Sequence, residues 1–259
     1  MSVNQLDRFL ATVRSGRLAI GAVITFSDPA VTELAADTGL DFLWIDGEHG
    51  EMDRNTAMMH MMAIRGTTCA SFYRVPSCDH TEIKKIIDFA PAGIIVPMIM
   101  DEKDAERAVA ACRYPLFGNR GCGPRRQHRY GADPINAEYY EQAQKEPLVI
   151  LQIEHIRAVE NLDRILAVPG VDSLLIGPYD LSFSLGKPGQ FRDPEVMAAI
   201  DLVCRKCRES GKILGAYTEG DFDLWSKRGL QYIASANDTG ILAMGLRAMQ
   251  TRIRKEFNS

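Results

Sequence analysis

The chain is poor in several features that mark particular classes of protein. It has 6 cysteines in 259 residues, which is too few for the disulfide framework of a small secreted domain. Its 30 basic and 34 acidic side chains give a net charge of −4, so it lacks the basic excess with which proteins bind nucleic acid or anionic membranes. Its longest apolar run, Gly93 to Met100, is shorter than the roughly 18 to 20 residues that cross a bilayer. We therefore expect neither a nucleic-acid partner nor a membrane partner.

The N-terminal segment also lacks the pattern of an export signal. Met1 to Leu18 carries charged residues at positions 7, 8, 14 and 17, without an apolar stretch before a small-residue cleavage site. No stretch rich in glycine, proline and serine interrupts the chain as a linker. These observations predict a cytoplasmic protein with one domain over residues 1–259.

What the sequence does contain is a regular alternation of apolar, β-rich runs with helical patterns. Runs such as LVILQIE and AGIIVPM are typical of parallel strands that are covered on both faces. The predicted strands are 18–26, 41–46, 69–75, 93–98, 148–154, 173–177, 213–217 and 232–236. The predicted helices between and after them are 28–38, 55–64, 81–89, 102–112, 156–166, 194–210, 222–228 and 246–257.

Eight strand–helix units in strict alternation predict a single α/β (β/α)₈ TIM barrel, with an open doubly wound sheet as the alternative. An insertion from Tyr114 to Pro147 separates strands 4 and 5 and contains a short polar helix over 135–145. The helix over 246–257 closes the chain.

Because catalytic residues of such barrels lie at the C-terminal ends of the strands, we searched those ends for chemistry. Four strands carry polar groups there: Asp46, Glu48 and His49 after the second, Arg74 on the third, Gln152, Glu154 and His155 on the fifth, and Tyr179 and Asp180 after the sixth. Since an unpaired buried charge is costly, each charged group needs a partner or a metal ion.

Glu154 and Asp180 come from neighbouring strands and offer two hard oxygen ligands to Mg²⁺ or Mn²⁺. Water and a chelating substrate would fill the other positions. The alternative is that both carboxylates form salt bridges with Arg74 or with surface arginines.

Three further groups at this rim each have two interpretations. His49 is either a general acid/base near neutral pH or a histidine hydrogen-bonded at the barrel mouth. Asp46 and Glu48 either orient metal-bound water or the imidazole, or they cap the following helix. Arg74 is a bidentate clamp for a carboxylate or enolate oxygen, a charge partner of Glu154, or both.

At these residues the sequence resembles the metal-dependent class II pyruvate aldolases of the 4-hydroxy-2-oxoheptanedioate aldolase (HpcH/HpaI) family, in the phosphoenolpyruvate/pyruvate barrel superfamily. The matching blocks run in the family's order over most of the chain: DFLWIDGEHG, YRVP followed by IKKIIDFAPAGIIVPMI, RYPLFGNRGCGP, ILQIEH and VDSLLIGPYDLSFSLG. The resemblance implies a homo-oligomer, a trimer or hexamer, that cleaves or forms 4-hydroxy-2-oxo acids through a pyruvate enolate. Its small-molecule partners would be an oxo acid and an aldehyde.

The resemblance also implies roles for individual residues. It makes Glu154 and Asp180 the ligands of a divalent ion, Mg²⁺, Mn²⁺ or Co²⁺. It places Arg74 at the keto oxygen of pyruvate, with Gln152 nearby. The backbone N–H groups of Tyr179 and Asp180 would face the pyruvate carboxylate, while Asp46 and Glu48 would lie beside metal-bound water.

The acid/base group implied by the resemblance is His49 supported by Asp88. The residue pattern alone favours a solvated position for Asp88, because charged side chains late in a helix are mostly exposed. No lysine lies on these strand ends, so the metal route is favoured over an imine.

Two other functions remain open: another lyase of the superfamily, of phosphonopyruvate or malyl type, and a non-catalytic barrel that binds an oxo acid. His155 and Tyr179 either shape the aldehyde pocket or pack. The basic segment 125–129 either grips an acidic substrate tail, here or across a subunit interface, or is solvated. The glycines of 118–123 predict a flexible active-site loop.

Overall fold

The fold is described from a computed structural model that covers residues 3–123 and 125–257. Its strands form one closed barrel in chain order, and every neighbouring pair is parallel. They are β1 Ala19–Ile24, β2 Phe42–Asp46, β3 Ala70–Arg74, β4 Gly93–Val96, β5 Leu148–Ile153, β6 Ser173–Ile176, β7 Ile213–Thr218 and β8 Tyr232–Asn237. The predicted (β/α)₈ barrel is confirmed, and the open sheet is wrong because β1 pairs with β8.

Helices lie between the strands and beyond them. They are α1 Leu6–Arg14, α2 Pro29–Asp37, α3 Arg54–Ala63, α4 His80–Ile87, α5 Glu102–Cys112, α6 Ala137–Ala143, α7 Ile156–Glu160, α8 Leu162–Ala167, α9 Pro178–Ser184, α10 Pro194–Glu209, α11 Phe222–Trp225 and α12 Asp238–Phe257. Asp28, Asp79 and Asp193 start α2, α4 and α10 because each side chain accepts a hydrogen bond from a first-turn N–H.

Two of the predicted helices differ clearly from the helices of the structure. The expected helix over 156–166 is divided into α7 and α8 at Asn161, whose backbone leaves the helical region. The last helix begins at residue 238 rather than 246, and its large apolar side chains are exposed along its length. Within residues 3–123 and 125–257, none of the helices combines the length and apolarity that a bilayer crossing requires.

Helix α1, which the sequence patterns did not predict, closes one end of the barrel. Its Phe9 is 1% exposed, and its ring contacts those of Phe42, Phe72 and Tyr232 at centroid distances of 5.8, 4.8 and 5.7 Å. Phe42 and Tyr232 are the first residues of β2 and β8, and Phe72 is the middle residue of β3, so the aromatic cluster fills the N-terminal half of the barrel. Among the described residues, the cavity inside the barrel lies at the C-terminal ends of the strands.

The insertion between α5 and β5 lies at this same closed end, because a segment that leads from a helix into the next strand lies opposite the strand C-termini. Arg126 is buried there and donates to the carbonyl oxygens of Phe89, at 2.8 Å, and Met61, at 2.6 Å. Arg129 forms an ion pair with Asp133. The expectation that the glycines of 118–123 form an active-site loop of their own barrel is therefore wrong.

The buried His60 on α3 gives the fold a pH dependence that can be measured. It is 0% exposed, its Nδ1 lies 2.6 Å from Thr32 Oγ1, and burial lowers its pKa below the usual 6.5. The unfolded chain takes up a proton there below about pH 6.5, whereas the folded chain resists it, so the histidine's share of stability is lost as the pH falls. Urea unfolding between pH 7.5 and 5.5 should show a smaller loss in His60→Gln than in the wild type.

The exposed His80 provides the matched control for this measurement. His80→Gln should leave the pH dependence of the free energy of unfolding as in the wild type. If the free energy of unfolding fell equally on acidification in the wild type and in His60→Gln, the pH dependence would not come from His60.

Candidate active site

A cavity of about 290 Å³ opens at the C-terminal ends of the strands. Polar and apolar side chains from most strand ends line it: Val23, Thr25, Trp44, Asp46, His49, Arg74, Gln152, Gly177, Pro178, Tyr179, Asp180, Tyr217 and Asn237. Its size suits a small substrate, since cavities for drug-sized ligands begin at about 300 Å³. All four strand ends chosen from the sequence contribute to this one space.

Arg74 lies at the end of β3 with only 7% of its surface exposed. Its Nη2 and Nε donate to the two carboxylate oxygens of Asp46 at 2.7 and 2.8 Å, and its Nη1 lies 2.8 Å from Glu48 Oε2. The guanidinium also stacks over the Trp44 ring at 4.7 Å. Burial opposes the charge, but Asp46 and Glu48 together raise the pKa of Arg74. Both carboxylates therefore hold this cation in place.

Asp46 has a local role as well, because its Oδ1 accepts the backbone N–H of Glu48 at 3.0 Å. Asp46 therefore fixes the turn after β2 and binds Arg74. The expectation that Asp46 or Glu48 caps the following helix is wrong, because Asp53 is the N-cap of α3. Glu48 is the second partner of Arg74, and burial raises the pKa of its carboxyl against the opposing effect of Arg74. A position of either residue beside metal-bound water stays a prediction.

Glu154 follows β5 and is 2% exposed. Its Oε1 accepts the backbone N–H of Met98 at 2.7 Å, and its Oε2 accepts the amide of Gln152. Burial raises the pKa of Glu154 to about 7, with further contributions from the charges of Glu48 and Asp180. Gly177 makes room for this arrangement, because a Cβ there would lie 2.9 Å from Glu154 Oε2.

The carboxylates of Glu154 and Asp180 fit a hard divalent cation. Among residues 3–123 and 125–257, neither forms a salt bridge with an arginine or lysine, so the ion-pair alternative is not what the structure contains. Glu48 adds a third negative charge nearby, and the burial that raises the pKa of Glu154 would be compensated by a cation. The described residues contain no cluster of three histidine, cysteine or acidic side chains set as metal ligands. A bound ion would thus take oxygens from two carboxylates and the rest from water and substrate.

His49 lies at the mouth of the cavity, with 69% of its side chain exposed and its Nε2 3.9 Å from Glu48 Oε2. Asp88, its expected partner, ends α4 at the closed end of the barrel and pairs with Arg120 at 3.0 Å. Since α4 runs antiparallel to the strands, the two groups lie at opposite ends of one barrel. One chain does not bring them together, and the pairing stays a prediction.

The structure gives different surroundings to His155 and Tyr179, the two residues whose roles the sequence left open. His155 starts α7, and its Nδ1 accepts the N–H of Arg157 at 3.1 Å, which is a helix-capping contact. Tyr179 lines the cavity, and its hydroxyl donates to Glu219 at 2.8 Å.

Sequence reasoning missed four polar or aromatic residues that line the cavity, Thr25, Trp44, Tyr217 and Asn237, besides Val23, Gly177 and Pro178. Thr25 follows β1, while Tyr217 and Asn237 lie in the last two residues of β7 and β8. The rule that selected the other strand ends would have found these three. The sequence pattern predicts a core position for Trp44, because it stands within the apolar run of β2.

A closed parallel barrel whose charged side chains converge around one small cavity at the strand C-termini defines a TIM-barrel enzyme. The chain belongs to the HpcH/HpaI aldolase/citrate lyase family, whose model matches residues 21–239. The family resemblance of the sequence blocks is thereby confirmed, and the protein is a lyase of the aldolase type.

Curated relatives and solved structures agree with this assignment. The chain is similar to the 5-keto-4-deoxy-D-glucarate aldolases of Citrobacter koseri, at 31% identity over 252 residues, and of Escherichia coli O6:H1, at 32% over 251. Both matches cover 96% of this chain and 97% of the relative. An HpcH/HpaI aldolase from Desulfitobacterium hafniense DCB-2 superposes with a TM-score of 0.87 at 26% identity, over 95% of this chain and 96% of that one. The citrate synthase SbnG superposes with a TM-score of 0.88 at 27% identity over 100% of both chains.

Proposed function

We propose that the protein catalyses the reversible aldol cleavage of 4-hydroxy-2-oxo acids to pyruvate and an aldehyde, with a divalent cation, Mg²⁺, Mn²⁺ or Co²⁺. The observation that carries the proposal is the convergence of one buried arginine, one amide and two carboxylates without basic partners beside a single cavity. A 2-oxo acid presents two oxygen ligands side by side, which complement such a set of groups.

The residues divide the work around the pyruvate half of the substrate. Glu154 and Asp180 hold the cation, which when bound supplies Lewis acidity to the pyruvate oxygens. Arg74, fixed by Asp46 and Glu48, places its positive charge toward the keto oxygen, where negative charge develops. Gln152 lies between Arg74 and Glu154 and orients the same end of the substrate.

The proton chemistry falls to the exposed His49. As a base it removes the proton of the C4 hydroxyl, the C3–C4 bond breaks and the aldehyde leaves. The imidazolium then returns a proton, directly or through water, to C3 of the pyruvate enolate. Asp88 supports this imidazole only if a second copy of the chain brings its closed end to the mouth of the first. The proposed dyad therefore requires the homo-oligomer that the family resemblance implies.

The similarity to the citrate synthase SbnG supports a second candidate, a carbon–carbon bond-forming lyase of the same superfamily that uses a different acceptor. Such an enzyme would use the same cation site and the same arginine. It would differ in the compound that occupies the outer half of the cavity.

Exchange of the C3 protons of pyruvate with deuterated water tests the proposal without any assumption about the aldehyde. We expect mass spectrometry to show exchange with Mg²⁺, Mn²⁺ or Co²⁺, and none after a chelator removes the ion. Absence of exchange with all three ions would contradict the proposal. Thermal stabilisation by pyruvate without exchange would instead indicate the non-catalytic oxo-acid-binding barrel, and turnover of only a phosphonate or CoA thioester the related lyase.

A further inference from the structure

The outer wall of the cavity is built from hydroxyl groups whose protons are already donated elsewhere. Tyr179 and Tyr217 donate to the two oxygens of one carboxylate, Glu219, at 2.8 and 2.9 Å. Thr25 likewise donates its hydroxyl to Asp238 at 2.6 Å. A hydroxyl has one proton and two lone pairs, so each of these three oxygens offers the cavity only an acceptor.

The other side chains of this wall add almost no hydrogen-bond donors. Asn237 uses one amide hydrogen on the Tyr217 hydroxyl at 3.4 Å, and its oxygen accepts from Thr239 and Gly240. Trp44 makes a T-shaped contact with Tyr217 at 6.1 Å, and its indole N–H, which has no hydrogen-bond partner among the described residues, is buried beneath the cavity surface. The wall therefore keeps at most one amide hydrogen as a donor.

The charges around the cavity also give a carboxylate on the aldehyde few cations to bind. Among the described residues that line the cavity, only Arg74 and His49 can carry positive charge. Arg74 is held by Asp46 and Glu48 at the pyruvate end. His49 is the acid/base group, which gives its proton to the aldehyde oxygen in condensation, and its Nε2 lies 3.9 Å from Glu48 Oε2. The insertion arginines lie at the closed end of their own barrel. A second copy that brought Asp88 to this mouth would bring Arg120 with it, but Arg120 already pairs with Asp88 and Arg129 with Asp133.

We infer that Glu219, acting through Tyr179 and Tyr217, selects an uncharged, hydroxylated aldehyde and disfavours an aldehyde that carries a carboxylate. Hydroxyl groups of such an aldehyde donate to the three acceptor oxygens. A carboxylate has no proton to donate to these oxygens and is repelled by the negative charge of Glu219. This inference rests on the proposed aldolase function and names its substrate class. Glu219 is a positioning residue, because it reaches the aldehyde through the two tyrosines.

A matched pair of aldehydes tests the inference: D-glyceraldehyde and tartronate semialdehyde differ only by a terminal CH₂OH in place of a carboxylate. With pyruvate and Mg²⁺, the wild type should condense D-glyceraldehyde with a kcat/KM at least about tenfold higher than that for tartronate semialdehyde. Glu219→Gln removes the charge and lets its amide donate to one phenol oxygen, which frees that hydroxyl proton for the cavity. The variant should narrow the ratio to within about threefold. The control Glu209→Gln, on the outer helix α10, should keep the wild-type ratio.

Pyruvate C3 exchange in the wild type is measured in parallel, so that two failures are told apart. Exchange together with equal or reversed preference for the two aldehydes overturns the inference and leaves the aldolase standing. An unchanged ratio in Glu219→Gln overturns the role of Glu219. Absence of exchange overturns the proposed function and this inference with it.

Discussion

Arg74→Ala is expected to abolish turnover and weaken the fold in the same variant. Its loss leaves Asp46 and Glu48 as two adjacent carboxylates, one of them 2% exposed, without their cation. Removing one partner of a buried pair costs about 3–5 kcal/mol of unfolding free energy. Loss of a preorganised donor at the developing oxyanion costs about 10²–10³-fold in kcat. Urea unfolding and steady-state kinetics measure the two effects.

The pH dependence of this variant separates the loss of a cation from the loss of packing. Without Arg74, burial raises the pKa of the Glu48 carboxyl with no arginine to oppose it. The destabilisation is then fully present above this raised pKa and lessens as the pH falls through it toward the unfolded value of about 4. The stability gap to the wild type should be smaller at pH 5 than at pH 7.5. A gap that is independent of pH would point to lost packing on Trp44.

Arg74→Lys supplies the matched control, since it keeps the charge and loses the planar fork that contacts both carboxylates. We expect it to recover much of the stability of Arg74→Ala and little of its activity. Arg157→Ala, which removes a mostly exposed arginine on α7, should alter neither quantity appreciably. Wild-type activity in Arg74→Ala would contradict the role given to this residue.

Glu154→Ala and Asp180→Ala are expected to lose cation binding and turnover while the barrel stays folded. A Lewis acid contributes several kcal/mol to this kind of reaction, so kcat should fall by about 10³-fold or more. Isothermal titration with Mn²⁺ or Mg²⁺ measures the loss of binding, and circular dichroism reports the fold. Removal of a carboxylate that has no basic partner should not unfold the metal-free protein.

The choice of variants distinguishes the cation site from a structural pair. Glu154→Gln keeps the hydrogen bond from Met98 and removes the charge that a cation requires. Glu160→Ala, an exposed residue of α7, is the neutral control. Unfolding of both Glu154→Ala and Asp180→Ala would favour a structural ion network instead. Undiminished metal affinity in both would exclude them as ligands.

The barrel could be predicted from the sequence because each strand is covered on both faces and reads as an apolar run. The eight predicted strands match the observed ones to within about two residues at each end. Helix α1 was missed because it precedes β1 and so lies outside the strand–helix alternation, although Leu6, Phe9 and Val13 recur at helical spacing and are buried. Helix α9 was missed because it begins directly after β6, at Pro178.

The site could be predicted only in its charged half. Asp46, Arg74 and Glu154 stand out because charges at the ends of apolar strands need an explanation. Trp44 looks like a core residue until the strand register shows that it faces the interior above the aromatic plug, and the uncharged Tyr217 was passed over although it stands near the end of β7. The family resemblance paired Asp88 with His49, but a one-dimensional pattern does not say whether two residues belong to the same copy of a barrel.

The aromatic plug of α1 also sets the order of events in the proposed reaction. Because Phe9, Phe42, Phe72 and Tyr232 fill the N-terminal end of the barrel, the cavity is closed there and opens at the C-terminal ends of the strands. Arg74 and Gln152 are buried at its floor, whereas His49 and Tyr179 stand toward the opening. In the proposed reaction we therefore expect pyruvate to enter before the aldehyde in synthesis and to leave after it in cleavage. The ring of Phe9 would impose this order although it contacts neither substrate.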